Sequence, residues 1–200
     1  MATGATRGDA GTSTRILEVA EGLVQARGFN GFSYADISAE VGITKAALHY
    51  HFPGKADLGL ALITRYASRF TEALARIDGT DTAPADRLAE YARLYDRVLV
   101  QSRMCLCGML AAEYQTLPVP MQVAVAGFFD ANESWVEKVL EDGRQDGSLR
   151  FGGTARETAR VIVACLEGAM LVARPSGDPD RLRSIAASLL AGLTRAVGEA

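Results

Sequence analysis

Cysteine is scarce in this sequence: three thiols, Cys105, Cys107 and Cys165, in 200 residues. So small and odd a number excludes the disulfide framework of a small secreted domain. Histidine is scarcer still. His49 and His51 are the two present, so a zinc site has no third ligand of the usual kind. Cys105 and Cys107 do not repair this, because residues two apart point about 200° away from each other on a helix. No apolar run reaches the roughly 18 residues of a membrane-spanning helix, and no signal peptide opens the chain. There is no glycine-rich phosphate loop, no metal-ligand cluster, and no nucleophile with a base beside it. Positive charge is short as well. The net charge is -3. The first sixty residues set Arg7, Arg15, Arg27, Lys45 and Lys55 against Asp9, Glu18, Glu21, Asp36, Glu40 and Asp57. The basic patch that usually marks a DNA binder is missing from the composition. These absences point to a cytoplasmic protein, not membrane-bound, that is not an enzyme and carries no metal or cofactor.

What is there is helical periodicity. Hydrophobic residues make up 48% and charged residues 22%, which suits a folded chain. Residues 1–12 are small and polar and are expected as a disordered lead-in. From Ser13 or Thr14 the apolar positions Ile16, Leu17, Ala20, Leu23 and Val24 share a helix face that ends at Gly28. Ser33 caps a short helix, Tyr34 to Val41, with Asp36 three residues on, close to a capping box. Gly42 breaks it. Thr44 then caps a third helix from Lys45 to about His51, with Leu48 and Phe52 turned inward. Two short helices joined by Val-Gly-Ile form a helix-turn-helix arrangement.

Further helices follow at about 55–77, from Pro84 to near Arg103, over 121–145, over 155–174, and from about 180 to Val197. An apolar segment from Met104 to Leu117 is expected to end at Pro118 and Pro120. Gly143 and Gly147 punctuate the end of the 121–145 helix. The reading is an all-α chain of nine helices with no internal repeat: a helix-turn-helix domain over 13–60, and a larger helical domain over 61–200.

The stretch Gly28-Phe-Asn-Gly-Phe-Ser-Tyr-Ala-Asp-Ile-Ser-Ala-Glu-Val-Gly-Ile-Thr-Lys-Ala-Ala-Leu-His-Tyr-His-Phe-Pro-Gly-Lys55 resembles the signature of the TetR family. The resemblance runs from Arg15 to Leu60 and is specific, because apolar, glycine and aromatic positions all match. It implies a homodimeric transcriptional regulator, usually a repressor, released from its operator by a small molecule. The residues suit that role. Thr44, Lys45, Ala46 and Ala47 form the end of the recognition helix that faces the major groove, Lys45 toward guanine and the alanine methyls toward thymine methyls. Ser33, Tyr34, His49 and Tyr50 are placed for phosphate contacts, and Lys55 adds charge at a helix start. His49 departs from the family, which usually has tyrosine there, so its contact depends on pH and tautomer. For each aromatic, ordinary packing is the competing reading.

The segment Met104-Cys-Leu-Cys-Gly-Met-Leu-Ala-Ala-Glu113 is similar to a TetR subgroup in which some members sense electrophiles or oxidants through the first cysteine. Cys105 is the matching position, at a helix start and beside Arg103, where a thiolate is favoured. A small buried hydrophobe is the plainer reading of such a cysteine. The rival sensor is an apolar pocket built from Tyr91, Tyr95, Met109, Tyr114, Phe128, Phe129 and Trp135, with Glu113 as polar anchor. The last two helices carry Ala164, Gly168, Leu171 and Val172, and Ile185, Leu189 and Leu193. They read as the homodimer face, matching a palindromic double-stranded DNA operator. The alternative is a helical interaction protein that has lost operator binding, favoured by the balanced charge alone.

Overall fold

The computed structural model describes residues 7–79 and 82–194, with side chains from residue 11 onward. Those residues form nine α-helices and two short 3-10 turns. Helix α1, Arg7–Arg27, is already helical at Arg7. Residues 7–12 are therefore ordered helix rather than lead-in; the rest of that stretch, 1–6, lies outside the described residues. Gly8 and Gly11 cost about 1 kcal/mol each against alanine, which propagation from the amphipathic part of the helix can carry. Ile16, Ala20 and Val24 are fully buried on one face. The helix stops at Gly28, whose φ of 84° is open to glycine and costly for other residues.

Helix α2, Tyr34–Val41, starts at Ser33, where the Asp36 carboxylate accepts from both the Ser33 N–H and its hydroxyl at 2.7 Å. These bonds hold the Asp36 carboxyl below its ordinary range. Gly42, at φ 75°, closes α2. Helix α3, Lys45–His51, is capped by Thr44, whose hydroxyl oxygen accepts from the Ala47 N–H at 3.1 Å. Leu48 and Phe52 are buried beneath it, as the spacing requires.

The chain divides into two compact units. The first comprises Met1–Ala67 and Leu106–Val125; the second comprises Ser68–Cys105 and Ala126–Ala200. Helix α4, Lys55–Asp78, contributes to both. Helix α6, Leu106–Ala112, the turn Tyr114–Thr116, and the start of helix α7, Val119–Gln145, belong with the N-terminal unit. Burial explains this: Leu62, Ile63, Leu106, Cys107, Leu110 and Met121 extend one core, and α1 packs on α6. Gly59 is tight against α7, since a Cβ there would come within 2.5 Å of Met121 Sδ.

The second unit holds helices α5, Pro84–Leu99, α8, Ala155–Ala173, and α9, Asp180–Thr194, packed on one another. Helix α5 ends four residues short of the expected Arg103, where a turn with Ser102 at φ 58° intervenes. Pro120 does not terminate a segment. It occupies the first turn of α7, where its missing N–H would have had no partner anyway. Gly143 lies inside α7, and Leu149 folds back onto it so closely that a Cβ there would meet its side chain at 2.4 Å. Thr154 and Glu157 cap α8 reciprocally. The expected end of the last helix at Val197 lies outside the described residues. Among the described residues no helix is long and apolar enough to cross a membrane.

Candidate DNA interface and effector site

In the first unit, burying Leu48 turns the opposite face of α3 outward. Thr44, Lys45 and Ala46 are exposed, Ala47 is half-buried, and His49 is exposed. Tyr50 is 77% exposed, with its ring edge-on to that of His51. Ser33 is exposed at the start of α2, although its hydroxyl donates to Asp36.

Three expected DNA contacts are committed within the unit. The Tyr34 hydroxyl donates to the Phe52 carbonyl at 2.9 Å, tying α2 to the end of α3. Burial, with Asp57 nearby, pushes its pKa up to about 12. That proton is in use here, so Tyr34 braces α2 against the end of α3. Lys55 donates to the Phe32 carbonyl and lies over the Phe32 and Phe29 rings at 4.2 and 4.8 Å. Burial lowers its pKa from the ordinary lysine value, against the pull of Glu113 and Asp36. It clamps the loop before α2 with one of its three N–H groups. His49 Nδ1 lies 3.0 Å from the Pro53 carbonyl, with its ring 4.8 Å from that of Tyr34. The carbonyl can only accept, so the neutral ring carries its proton on Nδ1 and presents a lone pair at Nε2. Only the protonated ring donates there.

Glu113, expected as an effector anchor, also belongs to this unit. Its carboxylate accepts from the Phe29 N–H at 2.7 Å and the Asn30 N–H at 3.2 Å. The Asn30 side chain donates to Thr116 Oγ1 at 2.8 Å. Gly28 has to be glycine here twice over: a Cβ would stand 2.5 Å from Glu113 Oε1. The segment after α6 therefore latches the loop between α1 and α2. Met109 is half-buried in α6 of the same unit.

Tyr114, also expected in the pocket, is exposed in this first unit, while the second unit holds the other expected sensor residues. Tyr91 and Tyr95, one turn apart on α5, are both buried, with hydroxyls 2.9 Å apart. Tyr91 donates to Asn132 Oδ1 at 3.2 Å, which leaves Tyr95 to donate to Tyr91. Asn132, buried on α7, donates to the Phe128 carbonyl at 2.8 Å. Trp135 stacks on Tyr91 with centroids 5.5 Å apart and donates to Asp78 at 3.0 Å. Phe70 meets Tyr91, Tyr95 and Phe128 edge-on. Burial holds both tyrosine hydroxyls above their ordinary pKa.

Sequence reasoning missed Phe70, Asn132 and above all Glu167. Glu167 is half-buried as a residue, but its Oε1 is enclosed and has no hydrogen-bond partner. Burial pushes its pKa up to about 7, offset in part by a hydrogen bond with Cys105. The signal was present, since Glu167 is the one charged residue between Arg160 and Arg174. Cys105 is buried, Arg103 before it is exposed, and Cys165 is half-buried. A separate surface cleft of about 440 Å³ between α5 and α9 is lined by Ala89, Ala92, Asp96, Leu182, Arg183 and Ala186, among others. Its Arg183 and Asp96 pair with each other at 2.9 Å, and none of the tyrosines lines it.

The pattern described as bacterial regulatory proteins of the tetR family matches residues 16–62. A second, described as the C-terminal domain of LmrA/YxaF-like transcriptional regulators, matches residues 67–188. A TetR-family regulator from Agrobacterium tumefaciens superposes with a TM-score of 0.90 at 34% identity, over 93% of this chain and 99% of that one. The transcriptional repressor NemR of Escherichia coli K12 is 28% identical over 175 residues, 82% of this chain and 85% of its own. The crystal structure of reduced E. coli NemR superposes with a TM-score of 0.80 at 26% identity, over 93% of this chain and all of that one. With both parts of the chain matched and the fold shared throughout, the protein belongs to the TetR family of bacterial regulatory proteins and is a DNA-binding transcriptional regulator.

Proposed function

We propose that this regulator is a repressor that binds a palindromic operator as a homodimer and leaves it when a small molecule occupies the second unit. The observation that carries the reading is the outward first turn of α3, with Thr44, Lys45 and Ala46 exposed and Tyr50 projecting beyond them. Base contacts fall to that turn. Phosphate contacts fall to Tyr50, to protonated His49 and to Ser33 at the start of α2. Repression follows the function named for NemR. A protein that works on the chromosome belongs in the cytoplasm.

The dimer face is α8 with α9. Val161, Leu171 and Val172 are each close to 60% exposed on α8, and Ala164 is exposed with them. Ile185 and Leu189 on α9 are half-buried, while Leu193 is buried inside the protomer and leaves the expected stripe. Two such faces, paired about a twofold axis, make a four-helix interface.

The effector site is the cluster of Tyr91, Tyr95, Asn132, Trp135 and Glu167, with Cys105 as part of its wall. Reactive cysteines sit in partly exposed, electropositive surroundings. Cys105 is buried, and its partner Glu167 is acidic. A gel shift on the DNA upstream of the protein's own gene tests the operator reading, with a salt-sensitive complex expected. Absence of any complex on flanking palindromes would favour an interaction protein. Comparing electrophile-induced release in wild type and Cys105→Ser tests the wall assignment. Release that depends on the thiol would overturn it.

A further inference from the structure

We infer that Glu167 selects the effector by charge, and that the site takes a small lipophilic amine in its ammonium form. This rests on the second unit being the effector-binding part. The hydrogen-bond inventory of the cluster is nearly closed. Tyr91 donates to Asn132, Tyr95 donates to Tyr91, and both groups of the Asn132 amide are used. Two acceptor positions remain. One is Glu167 Oε1, enclosed without a partner. The other is the Tyr95 oxygen, whose proton is spent on Tyr91 while its lone pairs stay available. The second orphan atom in this unit is Arg87 Nε, a donor on a guanidinium already paired with Asp78 and Asp142.

Among the described residues, burial and the Cys105 hydrogen bond are what act on Glu167, and no cation is among them. Arg156 and Arg160 are bound to Glu133 and Glu137, and Arg183 to Asp96 and Asp180. A carboxylate ligand would therefore meet a like charge with no counter-ion. A neutral ligand would satisfy a hydrogen bond but leave the carboxylate uncompensated. An ammonium group gives Oε1 a charge-assisted donor and Tyr95 a second one. The rings of Phe70, Tyr91, Tyr95 and Trp135 attract a cation through their faces and take up an attached aryl group. The ionisable groups that face Glu167 are Cys105, which hydrogen-bonds it, and Tyr91 and Tyr95, which feel its charge; Glu133 adds a further negative charge at Tyr91.

The test is calorimetric titration of the full-length protein with three matched probes: 3-phenylpropylammonium, 3-phenylpropanol and 3-phenylpropionate. The ammonium is expected to bind at least about tenfold tighter than either analogue. The isosteric variant Glu167→Gln is expected to lose about ten- to a hundredfold of that affinity while keeping operator binding. In wild type, ammonium affinity is expected to rise about tenfold between pH 6 and pH 8 as Glu167, with a pKa of about 7, ionises. This arm needs no variant, so a misfolded E167Q would not spare the inference. Equal or tighter binding of the propionate, no ammonium binding, a flat pH profile, or unchanged ammonium binding in E167Q would each overturn it. Ammonium binding that requires Glu167 but leaves the operator complex intact would uphold the ligand class and refute the effector-release reading.

Discussion

Glu113 is the sharpest point at which to perturb the DNA-binding unit. Its carboxylate receives two backbone N–H groups, from Phe29 at 2.7 Å and Asn30 at 3.2 Å. Hydrogen bonds to a charged group contribute about 1.5–3 kcal/mol each, and a buried N–H left without a partner costs about 1–3 kcal/mol. Phe29 is only 5% exposed, so its N–H bears most of the loss; Asn30 is exposed and water replaces its bond. Glu113→Ala is thus expected to destabilise the protein by about 2–3 kcal/mol, lowering Tm by roughly 4–10 °C for a chain of this size. Glu113→Gln keeps a neutral acceptor and should cost about 1 kcal/mol. Gly28→Ala adds two penalties, the positive φ of 84° and a Cβ 2.5 Å from Glu113 Oε1. In the Glu113→Ala background the second penalty vanishes. The double mutant should therefore be more stable than the sum of the singles by about 1 kcal/mol or more. Thermal unfolding followed by circular dichroism at one fixed protein concentration measures all four proteins, and operator binding by fluorescence anisotropy should weaken in step. Strict additivity, or a Glu113→Ala melting point within about 1 °C of wild type, would refute the latch.

Tyr34→Phe deletes the bond to the Phe52 carbonyl and should cost about 1 kcal/mol, with no change in the salt slope of operator binding. A shallower slope would mean that the hydroxyl reaches phosphate after all. Tyr50→Ala and Lys45→Ala should leave Tm within about 1 °C, since both side chains are exposed, while weakening operator binding about tenfold or more. A fall in Tm with unchanged DNA affinity would assign both residues to packing. Leu171→Asp, on the exposed stripe of α8, should shift the protein from dimer to monomer in size-exclusion chromatography and remove operator binding with it. A persistent dimer would move the interface elsewhere.

What could be read in the sequence were the features whose cause is local. Ser33 with Asp36, Gly42 and Thr44 each act within four residues, so the helix-turn-helix and the burial of Leu48 and Phe52 followed from spacing alone. Pro120 lies in the first turn of α7 rather than before it, while α7 ends at Gln145, where the helix expected over 121–145 also ends. The long-range commitments were not legible. Glu113 reaches a loop 84 residues away, Lys55 a carbonyl 23 away, and Tyr34 one 18 away. Each is a polar residue that a sequence reading sends outward and the fold turns inward. Glu167 was hidden for a related reason. A single acid in an apolar helix gives no motif, and its meaning depends on Cys105 and Tyr95 arriving from other parts of the chain.

These inward commitments deepen the charge puzzle of the DNA-binding unit and also resolve it. Of its few cations, Arg15 donates to the Val41 carbonyl at 3.0 Å and Lys55 to that of Phe32, while Lys45 and Arg27 are exposed. Carbonyl bonds leave both charges in place but hold the side chains against the protein, and acids balance the unit's cations, so a general basic field is not there to supply most of the affinity. In the proposed complex the affinity comes from fit: backbone N–H groups at the starts of α2 and α3, the Tyr50 ring, and the first turn of α3 in the groove. Fit requires that α2 and α3 be held rigidly, because loss of one contact cannot be made up by a diffuse field. Arg15, Tyr34, Lys55 and Glu113 each fasten an end of α2 or α3, or the loop leading into them.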